Sequence, residues 1–276
     1  MNTNTTPSSR RTVLKTLAPA GVLALAGCLD GDGADWTPTA DGPLAAVAVE
    51  ETELVVDLAA EASVDALTVV DPNGELFAET TVAAGVTTET FPIEMPYAPG
   101  EYEVRAVVED EVTDTETIAI RPDLEIVDLK LGRNHPDEMY EGAPELRTRT
   151  EVIVYLENSG RGPDFVTDLR FTGDVPNPTT DGFDESGIFD PSDGQSVPAD
   201  GIEISPNSEY KIFSYSLPFS SAGDTVECQP GGAEGEFTVS LESKITGEDA
   251  VEEKYQVVYT GEDMSDCSIE ITEGSS

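Results

Sequence analysis

Tyr97-Ala98-Pro99-Gly100-Glu101-Tyr102-Glu103-Val104-Arg105-Ala106-Val107-Val108 is the stretch whose reading decides the fold. After the Pro-Gly pair, Tyr102, Val104, Ala106 and Val108 occupy alternate positions, with Glu103 and Arg105 between them. Period two belongs to a strand with one buried face, whereas a helix would space its apolar residues by three and four. The same alternation recurs on both sides, in Leu54, Val56 and Leu58, in Leu67 and Val69, and in Ile118 and Ile120. Asp71-Pro72-Asn73-Gly74 separates two such runs, and Asn-Gly supplies the positive φ angles of a tight hairpin. Turn signals recur about every 8 to 12 residues with no helical run between them, so residues 44–121 are expected to form a small antiparallel sandwich.

Arg121-Pro122-Asp123 reads as a short junction to a second, larger sandwich over residues 122–276. Seven strands are expected there: Leu124–Leu131, Thr148–Asn158, Phe165–Phe171, Ile202–Ile204, Glu209–Leu217, Glu236–Ile245 and Glu252–Thr260. If successive strands run antiparallel, parity assigns each connection to an end. The three long connections, Gly132–Arg147, Thr172–Gly201 and Pro218–Gly235, then share the end away from the junction. Loops beyond about 12 to 15 residues are uncommon in compact domains unless they act or are disordered. A recognition head is therefore expected at that tip, with Tyr140, Phe183, Phe189 and Phe219 as its ligand-contacting aromatics. Asp181, Asp184 and Glu185, with Asp190 and Asp193 on the same loop, offer the hard oxygen ligands calcium prefers. Their spacing matches no calcium cage, so neither a resident metal nor another cofactor is expected.

Pro99-Gly100-Glu101-Tyr102-Glu103-Val104 resembles the Pro-Gly-x-Tyr-x-Val entry into a late strand of immunoglobulin-like modules in prokaryotic surface proteins. Val154-Tyr155-Leu156-Glu157-Asn158-Ser159-Gly160, followed by Ser205-Pro206-Asn207-Ser208-Glu209-Tyr210, is similar to the Val-x-Asn-x-Gly and Pro-Gly-Glu landmarks of adhesion-related immunoglobulin-like domains, with Asn207-Ser208 in place of the Gly. These resemblances imply an all-β chain of two tandem immunoglobulin-like sandwiches and a binding or adhesion role.

The N-terminus carries an export address. Ser9-Arg10-Arg11-Thr12-Val13-Leu14-Lys15 precedes a short apolar run from Leu17 to Ala26, and Leu25-Ala26-Gly27-Cys28 closes it. A basic head, an apolar middle and a small-residue end make a secretory signal peptide, and Pro19 together with the run's shortness argues against a spanning helix. Arg10 and Arg11 resemble the twin-arginine export pattern, and Leu25, Ala26, Gly27 and Cys28 resemble a lipobox, which implies cleavage after Gly27 and lipidation of Cys28. Two acyl chains there would anchor the protein stably to a membrane face. Residues 1–27 are thus read as signal and 28–43 as a lipidated Cys followed by an acidic flexible linker. Asp30, Asp32 and Asp35 open that linker like a calcium loop, but the later ligands are missing.

Charge and cysteines complete the reading. The chain carries 56 Asp plus Glu against 14 Lys plus Arg, a net charge of −42, which becomes −45 once Arg10, Arg11 and Lys15 leave with the signal. Such a charge opposes compaction at ordinary ionic strength and is screened in molar salt, where the Debye length falls to ~3 Å. Together with the export signals, it resembles the exported lipoproteins of halophilic archaea. Nucleic acid is a poor partner for this surface. With Cys28 assigned to lipid, Cys228 and Cys267 remain and fall at the same end by parity, so a disulfide is expected in an oxidising exterior, ahead of metal or free-thiol roles.

Catalysis finds little support. His135 is the single histidine, and no nucleophile-elbow, zincin or phosphate-loop motif is present. The expectation is a non-enzymatic, lipid-anchored module on the extracellular membrane face, binding a surface protein or glycan. A structural envelope lipoprotein without a specific ligand is the alternative, and an accessory to a carbohydrate-active enzyme a distant third.

Overall fold

The computed structural model describes residues 42–191 and 197–273. The export signal with Arg10, Arg11, Leu25, Ala26, Gly27 and Cys28, and the linker acids Asp30, Asp32 and Asp35, lie outside the described residues.

Seven strands come first: β1 (Leu44–Glu50), β2 (Glu53–Leu58), β3 (Ala66–Val70), β4 (Leu76–Thr81), β5 (Thr88–Pro92), β6 (Gly100–Val108) and β7 (Glu111–Ile120). They make two antiparallel sheets, ordered β1-β2-β5 and β4-β3-β6-β7. The alternating residues point into the space between the sheets, except Val108, which a register shift after Ala106 takes out of phase. Leu54, Val56, Leu67, Val69, Tyr102, Val104, Ala106 and Ile120 are buried in one core. Burying such a side chain contributes about 1.5–3 kcal/mol, so the alternation selects this register over a one-residue slip that would expose the whole set. Tyr102 also donates its hydroxyl to the Ala98 carbonyl at 2.8 Å, which satisfies the polar end of an otherwise apolar side chain.

The hairpin joining β3 to β4 differs from expectation. Gly74 alone of the Asn-Gly pair has positive φ, at 81°. Asp71 builds the turn instead, accepting from the Asn73 and Glu75 backbone N–H groups, and those bonds hold its carboxyl below the usual range. A register shift between Val69 and Val70 then absorbs the extra residue.

The second sandwich contains β8 (Leu124–Leu131), a short helix α1 (Glu145–Thr150), β9 (Val152–Asn158), β10 (Asp164–Gly173), β11 (Ile188–Phe189), β12 (Ile202–Ile204), β13 (Ser208–Ser214), β14 (Ala233–Ser243), β15 (Gly247–Thr260) and β16 (Ser268–Glu273). Its sheets are β11-β13-β9-β8 and β12-β10-β14-β15-β16, all antiparallel. Three differences from the sequence reading stand out. Residues 148–150, expected to open the second strand, are helical: the Thr148 and Glu151 N–H groups donate to the Pro144 and Arg147 carbonyls, and Arg147 pairs with buried Glu151 at i,i+4 spacing. The connection after β10 contributes β11, which pairs with the edge of β13. A further strand, β16, extends the larger sheet beyond β15.

A seam of backbone and buried polar groups joins the two sandwiches. Gly162 donates to the Arg121 carbonyl at 2.9 Å, and a Cβ on Gly162 would sit 2.7 Å from the Arg121 nitrogen, so only glycine permits this approach. Tyr97 of the first sandwich donates to the Pro163 carbonyl at 2.8 Å, and Ile245 of the second packs against the first core.

Candidate functional site

Parity placed three long loops at one end of the second sandwich, and the hydrogen bonds put them together. After β8, Arg133 ties its own connection to two other segments: its Nε donates to the Arg149 carbonyl at 2.9 Å, Nη2 to the Phe219 carbonyl at 3.1 Å and Nη1 to the Cys267 carbonyl at 3.3 Å. Asn134 adds a bond to the Ile269 carbonyl. Asn177, from the connection after β10, donates to the Pro218 carbonyl, and Thr225 donates to the Val175 and Pro176 carbonyls. Cys228 and Cys267 form a disulfide with a Cα–Cα distance of 6.0 Å, tying the connection before β14 to the start of β16. Loop carbonyls far from a sheet need such donors, because a buried unpaired backbone group costs about as much as a lost hydrogen bond.

The aromatics expected to contact ligand are mostly turned inward. Phe219 is 1% exposed and packs edge-on against Phe237, with ring centroids 5.6 Å apart. Phe189 is buried beside Tyr140, which also packs edge-on against Phe213 at 5.0 Å. Phe183 is half-buried. The reason is local: the connection after β10 runs down the β10 edge, with Leu169 donating to the Ser186 carbonyl, before Ile188 and Phe189 join β13. It closes the side of the sandwich, and hydrophobic burial takes its apolar residues with it. Asp181, Asp184 and Glu185 are exposed. Among the described residues no group of three or more His, Cys, Asp or Glu side chains is arranged to hold a metal, and Asp193 lies outside them.

A feature the sequence did not announce is a strap, residues 133–151, lying on the outer face of the β11-β13-β9-β8 sheet. Glu138 pins it. Lys130 on β8 donates to Glu138 at 3.0 Å, Tyr155 on β9 donates its hydroxyl, and Lys211 on β13 stands 3.9 Å away. His135 lies 3.3 Å from the same carboxylate. The Tyr155 and Lys130 hydrogen bonds hold the Glu138 carboxyl down at about 2. Both ammonium groups also lie over the Tyr155 ring, at 4.8 and 5.0 Å.

The strap's other fastening is buried. Glu151 is 1% exposed, and its Oε1 accepts from Arg147 at 2.9 Å while Oε2 has no hydrogen-bond partner. Arg147 lies between the rings of Phe189 and Tyr215, at 5.3 and 5.0 Å. Burial pushes the Glu151 carboxyl up to about 7, with the Arg147 charge offsetting only part of that.

At the tip itself α1, the connection before β14 and the β15–β16 hairpin enclose an open groove of about 460 Å³. Arg133 and Arg149 line it with Leu146, Met264, Ser221 and Ser265. Leu146 is 65% exposed. The arginines and Leu146 could have been noticed in the sequence only if residues 145–150 had been read as a helix. No helix of the described residues is long and apolar enough to cross a membrane.

No family model matches this chain, and no curated protein matches it. Among solved structures it is similar to the BSP domain of a biofilm associated protein, at 14% identity over 70% of this chain and 25% of that one, with a TM-score of 0.22. It is also similar to a segment of two fibronectin type-III domains from chicken tenascin, at 12% identity over 83% and 97% of the two chains, with a TM-score of 0.24. A third is a β-glucuronidase from glycoside hydrolase family 2, at 8% identity over 85% and 19%, with a TM-score of 0.22. The chain thus spans a quarter or less of the first and third structures.

Proposed function

We propose that this chain is a lipid-anchored module on the extracellular face of a membrane, exported through its twin-arginine signal, that engages a protein partner with the loop-built tip of its second sandwich. The observation that carries the reading is the separation of its ends. Gly42, the first described residue, lies against Asp114 in the half of β7 nearer its turn with β6, whereas the junction lies at the opposite end of β7, beyond Ile120. The tip groove lies at the end of the second sandwich away from the same junction. A tether at Cys28 would therefore join the described residues at the end away from the groove. The net charge of −45 on the mature chain supports a habitat in concentrated salt, where such a surface stays soluble.

Proximity labelling on intact cells, comparing wild type with Cys28→Ala, tests this. The wild type should fractionate with membranes and label a reproducible set of exported proteins, and the variant should be released into the medium. Recovery of wild type from the cytosol, or labelling indistinguishable from that of an unrelated lipoprotein, would sink the proposal.

A further inference from the structure

The pairing of charges in the tip groove does not follow the logic of the rest of the chain. Eleven Lys and Arg follow the signal against more than fifty carboxylates, so an arginine has acids in abundance to pair with. Among the described residues, Arg133 makes its hydrogen bonds to three carbonyl oxygens instead. A guanidinium carries five donors, so its hydrogen-bonding capacity is not exhausted. Burial, and after it the like charge of neighbouring Arg149, lowers the pKa of Arg133. Two guanidinium groups set together are the arrangement that a carboxylate, with its planar bidentate geometry, relieves.

The rest of the groove narrows the chemistry. Leu146 projects from α1 at 65% exposure, and Met264 stands on the β15–β16 hairpin wall. No aromatic ring lines the groove, so the flat surface on which a sugar ring stacks is missing. We infer that the groove receives an extended peptide segment of a partner protein, seating a carboxylate between Arg133 and Arg149 and an adjacent aliphatic side chain between Leu146 and Met264. This rests on the reading of the tip as the binding end. Glu145, whose side chain is 83% exposed, pairs with Arg149 at 3.2 Å and occupies the position the incoming carboxylate takes. It therefore competes with the ligand, and the surrounding negative charge rejects anions that cannot make the bidentate contact.

The test uses the full chain purified in detergent and molar potassium chloride, titrated against a fluorescein-labelled peptide of alternating Asp and Leu and followed by anisotropy. Arg149→Glu should weaken binding about tenfold or more, in line with a charge-assisted hydrogen bond. Glu145→Gln should tighten it about threefold, as expected for release of an exposed competing pair. Both side chains are exposed, so circular dichroism should be unchanged. Equal binding of a peptide with Asn in place of Asp, an unchanged affinity in Arg149→Glu, absence of saturable binding, or preference for oligogalacturonate over the peptide would each overturn the assignment. Arg149→Glu also separates the two readings on cells: if it keeps the wild-type set of labelled neighbours, the groove is wrong and the tip reading stands.

Discussion

The two ends of the second sandwich solve the same problem in different ways. At the junction end the connections are short, and two buried side chains satisfy their backbone. Asn158 accepts from the Asp123 and Gly160 nitrogens and donates to the Gly162 and Ser205 carbonyls. Asp164 accepts from the Phe165 and Ile245 nitrogens and from the Ser243 and Thr246 hydroxyls. At the tip the connections are long, and one arginine, a few amides and a covalent bond hold them. A compact polar core can be built from one or two residues when the chain returns quickly. Where it wanders, longer reach and a cross-link take over.

The largest test of this contrast is removal of the cross-link. Cys228 and Cys267 are 39 residues apart, and opening a loop of that size should destabilise the protein by about 4 kcal/mol, lowering Tm by on the order of 10 °C. A double Cys→Ser variant melting within a degree or two of wild type would show that the tip is held by its hydrogen bonds alone. Asp164→Leu attacks the other end. It leaves four donors without their acceptor and should cost roughly 3 kcal/mol by thermal or denaturant unfolding. A larger loss than that from the disulfide variant would invert the ranking of the ends.

Glu151 sharpens the comparison through pH, because it is a buried carboxyl with one oxygen unpaired and a raised pKa. Its folded-state value, about 7, lies above the unfolded one. The folded state therefore holds a proton that the unfolded state has lost between about pH 4.5 and 7. Stability from this site is fully present below pH 4.5 and falls by about 3 kcal/mol as pH rises to 7, with no further loss above it. Glu151→Gln should flatten that slope, and a slope identical to wild type would refute the assignment. The smallest effect is expected from Tyr97→Phe, which removes one hydrogen bond across the junction and should cost about 1 kcal/mol without altering the tip.

Strand alternation was legible wherever one face is buried and the other wet. The strand expected over Leu124–Leu131 was found with those bounds, as was Ile202–Ile204. The gathering of the loops followed from parity, and the cysteine pair from the two cysteines left over once Cys28 is assigned to lipid, with parity in agreement. Ile188-Phe189 was hidden because a two-residue pairing has no period to read. Helix α1 was hidden because its six residues hold no apolar stripe, and only the i,i+4 charge pairs betray it. The aromatics misled for a more general reason. Phe189 stands among acids and a glycine, and Phe219 between a proline and two serines, which read as surface, yet burial acts on the individual ring and carried both inside. The strap was illegible because Lys130, Tyr155 and Lys211 come from three separate strands and meet only once the sheet has formed.

That convergence on Glu138 has a consequence for dilution. Opposite charges within hydrogen-bonding reach attract more strongly as counter-ions are withdrawn, while the acidic body surrounding them pushes itself apart. Desalting thus tightens the buckle and loosens the garment. The strap and the strands beneath it should be the last native element to come undone when brine gives way to fresh water.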